Sequence, residues 1–163
     1  MGLFSFIKDA GEKLFGGKKV EEAAAANDTA SLAQLNAEAG AAIKQYIETQ
    51  NLGLTNLAVM FDGASGKVIL TGDAPNKEAA EKATLAAGNV ASVRDVDNNL
   101  NVADGAGSDA QYHDVASGDT LSAISKKYYG DANKYMVIFE ANKPMLSDPN
   151  KIYPGQKLRI PAL

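Results

Sequence analysis

The chain has no cysteine, no tryptophan and one histidine, His113, among its 163 residues. Without cysteine there is no disulfide framework, no thiol nucleophile and no thiolate-held zinc site. One histidine cannot build a multi-histidine metal centre. A Ser–His–acid set survives the count, but no Gly-x-Ser-x-Gly elbow accompanies it, and His113 reads as a partly exposed strand residue. Gly-x-Gly occurs only as Gly105-Ala106-Gly107, outside any strand–turn–helix setting, so no dinucleotide site is indicated. Catalysis is therefore not expected. No stretch approaches the roughly 18 apolar residues of a membrane span. The start, Met1-Gly2-Leu3-Phe4-Ser5-Phe6-Ile7-Lys8-Asp9, has no early basic residue, and its apolar run stops at Lys8. It is no secretory signal, and Phe6 stands where myristoylation wants Ser or Thr. A cytoplasmic monomer without membrane association is expected.

Charge is modest but unevenly placed. The chain carries −4 overall, with −6 on residues 1–110 and +2 on residues 111–163. Neither half is a basic nucleic-acid footprint. Asp62-Gly63-Ala64-Ser65-Gly66 and Asp95-Val96-Asp97-Asn98-Asn99 offer oxygen ligands but lack calcium-loop spacing. The first reads as a hairpin turn. The second reads as a strand with Asp95 and Asp97 on its solvated face.

Periodicity divides the chain. Leu3, Phe4, Ile7, Ala10 and Leu14 fall at helical spacing, predicting a short helix over residues 3–15 that Gly16-Gly17 ends. Such a helix is marginal alone and needs a surface to dock on. Residues 18–31, charged and then alanine-rich, read as a variable, mobile linker without function. Leu32, Leu35, Ala39, Ile43 and Ile47 mark a second helix. Leu57, Val59 and Phe61 mark a strand, and Val68, Ile69 and Leu70 its hairpin partner, which Gly72-Asp73 closes. Asn76 to Ala87 is an alanine-rich helix ending at Gly88-Asn89-Val90-Ala91-Ser92, and Val93, Val96, Leu100 and Val102 form a last strand. Residues 104–110 are a flexible linker.

The order helix, strand, strand, Thr71-Gly72, helix, strand resembles the BON domain. The segment from Tyr112 to Pro161 carries Ser117-Gly118-Asp119-Thr120-Leu121, Tyr129-Gly130-Asp131, Glu140-Ala141-Asn142 and a closing Tyr153-Pro154-Gly155 strand. It resembles the LysM domain throughout. The fold class expected is α+β. A helix (1–17) docks on an αββαβ BON domain (32–103) across the linker 18–31, and a second linker (104–110) leads to a βααβ LysM domain (111–163). The LysM resemblance implies a glycan groove at Gly118, Asp119, Thr120 and Leu121 with Asn142, Pro144, Met145 and Leu146. The residues alone read rather as a helix cap at Asp119 or Thr120 and a core position for Leu121. A protein partner is the other occupant considered for this unit.

The start Gly2-Leu3-Phe4-Ser5-Phe6-Ile7-Lys8-Asp9-Ala10-Gly11, together with the BON–LysM order, resembles a bacterial cytoplasmic potassium-binding family. Residues 18–31 depart from that pattern. The resemblance implies a K⁺ sensor or buffer that becomes compact around the ion. K⁺ suits a cage of neutral carbonyl oxygens, and helix C-termini expose such carbonyls at a partially negative end. On that footing the backbone carbonyls of Ile7, Ala10, Glu12, Gly88, Val90 and Val93 are the expected ligands. The residues alone would read as ordinary helix caps. The alternative is an envelope adaptor that binds peptidoglycan through LysM and phospholipid through BON.

Overall fold

The computed structural model describes residues 3–5, 11, 13, 14, 16–104 and 110–163. The chain divides into two units, residues 1–105 and 106–163.

The first unit is a four-stranded sheet with helices packed on it. Its elements are β1 (Leu3–Ser5), α1 (Gly17–Ala25), α2 (Thr29–Thr49), β2 (Thr55–Asp62), β3 (Lys67–Asn76), α3 (Lys77–Gly88) and β4 (Asp95–Asp104), with strand order β1-β4-β3-β2. β2 and β3 form an antiparallel hairpin, while β3 and β4 run parallel. Parallel neighbours need a crossover, and α3 supplies it. Its start is set by Asn76, whose side chain accepts from Ala79 N–H at 2.8 Å. Alternation sends Val68 and Leu70 of β3 and Val96 and Leu100 of β4 inward, into a core that also holds Ala83, Ala86 and Ala87 of α3 and Ile43 and Ile47 of α2. All are at most 1% exposed, and full burial of an Ile or Leu side chain is worth about 1.5–3 kcal/mol.

Between Val96 and Leu100 the inward position is polar. Asn98 is 8% exposed. Its amide donates to Ala80 O (3.0 Å) and to Thr84 Oγ1 (2.6 Å), and its Oδ1 accepts from Leu100 N–H (3.0 Å). It pins β4 to the middle of α3.

Two expectations are corrected. Leu3–Ser5 is a strand rather than a helix, antiparallel to β4 with Leu3 opposite Asp97 and Ser5 opposite Asp95. The edge of β4 offers ladder bonds that a marginal helix would have to make by itself. Gly11 has φ +102°, and Lys13, Leu14 and Gly16 are also non-helical. Phe6–Ala10, Glu12 and Phe15 lie outside the described residues. Residues 18–31 are no free linker: they hold most of α1 and the start of α2. Val20 of α1 is 2% exposed. It sits where a β-carbon on Gly63 would come within 1.8 Å of its Cγ1, so the hairpin turn admits α1 only because position 63 is glycine. Asp28 then caps α2, accepting from Ser31 N–H at 3.2 Å.

The second unit contains β5 (Gln111–Asp114), α4 (Leu121–Tyr129), a short 3₁₀ turn (Ala132–Lys134), α5 (Tyr135–Ala141) and β6 (Lys157–Ile160). β5 and β6 pair antiparallel. Val115, Leu121, Ile124, Ile138, Phe139, Leu146, Leu158 and Ile160 form its core. The expected βααβ order is present.

Candidate functional site

α3 ends against a tight turn. Asn89 N–H donates to Leu85 O (2.9 Å), Val90 N–H to Ala87 O (3.4 Å) and Val93 N–H to Val90 O (3.1 Å). Gly88 follows the last of these helical carbonyls. Val90 and Val93 are fully buried, so the turn is anchored by its side chains and its carbonyls sit at a partially negative helix end. Val93 belongs to this turn rather than to the last strand, which begins at Asp95.

The N-terminal segment reaches this turn. β1 runs antiparallel to β4 and so heads towards the beginning of β4, which the turn precedes. A β-carbon built on Gly11 would lie 1.8 Å from Asn89 O and 2.6 Å from Asn89 C. With φ +102° as well, Gly11 meets the last turn of α3 backbone to backbone, at a distance no side chain permits. Of the expected ligands, Gly88 is the last residue of α3 and Val90 and Val93 lie in the turn, while Ile7, Ala10 and Glu12 lie outside the described residues. Backbone oxygens are what this junction offers: among the described residues no group of three or more His, Asp or Glu side chains could hold a metal.

The expected glycan groove divides. Leu121 and Leu146 are core residues, each 3% exposed. Asn142 is 2% exposed and spans α5 and β6, donating to Ile138 O (2.7 Å) and Arg159 O (2.8 Å) and accepting from Arg159 N–H (2.8 Å). None of the three side chains faces a ligand. Thr120 caps α4, accepting from Ala123 N–H at 3.1 Å. Gly118, Thr120 and Pro144 are exposed and Met145 is half-buried, so these four remain accessible.

The LysM domain family matches residues 113–161 and the BON domain family residues 36–104. The chain is 44% identical over 161 residues to the potassium binding protein Kbp of Escherichia coli O6:H1, covering 99% of both chains. The chain belongs to the Kbp family. Shorter likenesses accompany that match. An uncharacterized protein of Deinococcus radiodurans is 50% identical over 48 residues, 29% of this chain and 18% of that protein. An esterase of Mycobacterium tuberculosis is 41% identical over 49 residues, 30% of this chain and 10% of that protein.

In this Kbp-family chain Asp119 has a role that neither glycan contact nor helix capping describes. Its Oδ2 accepts from Ala116 N–H and meets His113 Nε2, both at 2.9 Å, and His113 Nδ1 lies 3.2 Å from the Tyr128 hydroxyl. The hydrogen bond from Ala116, then that from His113, hold the Asp119 carboxyl below the usual carboxylate range. The network ties β5, the following loop and α4 together. A spacing of six residues between His113 and Asp119 gives no hint of it, because the loop doubles back. The contact of Gly11 with Asn89 was equally silent in the sequence, since neither residue type is diagnostic.

Proposed function

We propose that this chain is a non-catalytic K⁺-binding protein, acting as a cytoplasmic sensor or buffer. The ion is held by backbone carbonyls of Ile7, Ala10 and Glu12 from the N-terminal segment and Gly88, Val90 and Val93 from the end of α3 and the turn after it. The observation that carries this reading is the backbone contact between Gly11 and Asn89. It joins the two stretches expected to supply ligands, and its glycine leaves room for main-chain oxygens to converge. The relative named for potassium binding, matched from end to end, supports the same ion. Neutral carbonyls suit a large, weakly hydrated monovalent cation better than a small divalent one.

If K⁺ favours the joined arrangement, its differential affinity shifts the population towards it, and the protein becomes more compact. Calorimetric titration of desalted protein with KCl against NaCl tests binding. X-ray scattering in the two salts at matched ionic strength tests compaction, and cell fractionation tests location. Equal heats, equal dimensions and equal melting temperatures in both salts overturn the proposal. The whole-length likeness favours this reading over the envelope adaptor. Accessible Gly118, Thr120, Pro144 and Met145 leave a small surface for a glycan or protein on the second unit.

A further inference from the structure

The turn after α3 is also gripped by the β2–β3 hairpin. Gly66 N–H donates to Asp62 O (2.7 Å), Ala64 N–H to Asp62 Oδ1 (3.1 Å) and the Ser65 hydroxyl to Asp62 Oδ2 (2.8 Å). Asn36 of α2 ties down the same hairpin turn, its Oδ1 accepting from Gly63 N–H at 2.9 Å. The hairpin is therefore a braced support. At its end the Gly66 carbonyl accepts from Arg94 N–H (2.7 Å) and from Asp95 N–H (3.3 Å). A β-carbon on Gly66 would lie 3.1 Å from both Ser92 O and Arg94 Cβ, and φ there is +72°.

Peptide planarity converts these contacts into an aim for Val93 O. Arg94 N–H and Val93 C=O belong to one trans peptide, so they point in opposite directions. The bond from Arg94 N–H to Gly66 O therefore directs Val93 O away from the hairpin. Val93 N–H and Ser92 C=O share the preceding peptide, and Val93 N–H donates to Val90 O at 3.1 Å. Ser92 O is thereby turned away from Val90, and it lies beside Gly66. Donation by Arg94 N–H also polarises Val93 C=O, its partner in the same peptide. We propose that Gly66 is a positioning residue for the K⁺ site. Its carbonyl aims Val93 O, and its missing β-carbon lets the hairpin come close enough to do so. The inference rests on the K⁺ reading and adds to it a support that does not itself touch the ion.

Gly66→Ala and Gly66→Asn are compared with wild type and with Gly53→Ala. Either substitution at Gly66 adds a β-carbon to which Ser92 O and Arg94 must yield by a few tenths of an ångström. Asn accepts left-handed backbone better than Ala, so it keeps the fold where alanine strains it. Gly53 has φ +77° but meets only Pro75, at 3.4 Å or more, so Gly53→Ala strains the same unit away from α3. In potassium-free sodium buffer the ¹⁵N amide shifts of Val93 and Arg94 should move in both Gly66 variants and stay in Gly53→Ala. Calorimetry with KCl and RbCl should show K⁺ affinity lowered about fivefold or more in both Gly66 variants. The ratio of K⁺ to Rb⁺ affinity should change with it, because a re-aimed carbonyl alters the dimensions of the cage. A lowered melting temperature with an unchanged ratio, or the same change of ratio in Gly53→Ala, overturns this inference alone. A wild type with equal heats from KCl and NaCl overturns the K⁺ reading and this inference with it.

Discussion

Replacing Gly11 by alanine attacks the contact on which the potassium reading rests. The new β-carbon would lie 1.8 Å from Asn89 O, where real contacts stay beyond 3.0 Å. One backbone must therefore retreat by about 1.2 Å, and neither is a flexible side-chain end. Alanine at φ +102° adds its own strain, and strained backbone of this kind costs roughly 1–3 kcal/mol. Charged against the joined state alone, that cost lowers K⁺ affinity by about 5- to 150-fold. The steric retreat pushes the result towards the upper end. The first unit should still fold, because its core of Ile43, Leu70, Ala83 and Val96 is untouched. Calorimetry with KCl gives the affinity, and ¹⁵N spectra confirm the intact core. Gly118→Ala is the control: φ is +88° there, yet nothing lies within 4 Å, so it should strain the second unit and leave K⁺ binding unchanged. Wild-type K⁺ affinity in Gly11→Ala would refute the reasoning.

Three further outcomes are expected. Asn98→Ala leaves Leu100 N–H and the Thr84 hydroxyl short of a buried partner, so urea denaturation should show a loss of ~1–3 kcal/mol. Thr120→Ala removes the α4 cap and should lower the stability of the second unit by about 1 kcal/mol, read from its melting temperature. Asp119 has a folded pKa below its unfolded one, so the unfolded chain binds more protons in that interval. Its stabilisation is fully present above the unfolded value of about 3.9 and is lost as pH falls through the folded value. Melting of wild type and Asp119→Asn from about pH 6 down to about pH 2 should therefore show a steeper acid loss in the wild type.

The sequence by itself determined the two-unit α+β plan. Hydrophobic alternation over residues 57–70, alanine spacing from Ala79 to Ala87 and turn residues such as Gly63 and Gly130 are local signals. They act within a few residues, so they can be read without knowing what lies opposite. Val20 and the strand Leu3–Ser5 were not legible, because each owes its state to a distant partner: the notch at Gly63 for one, the open edge of β4 for the other. Leu121, Asn142 and Leu146 fit a ligand groove by position, but packing turned them inward. The same holds at the candidate ion site. The sequence supplies a glycine and a helix end 78 residues apart, and only tertiary structure sets Gly11 on Asn89, because such contacts are made by backbone atoms that every residue possesses.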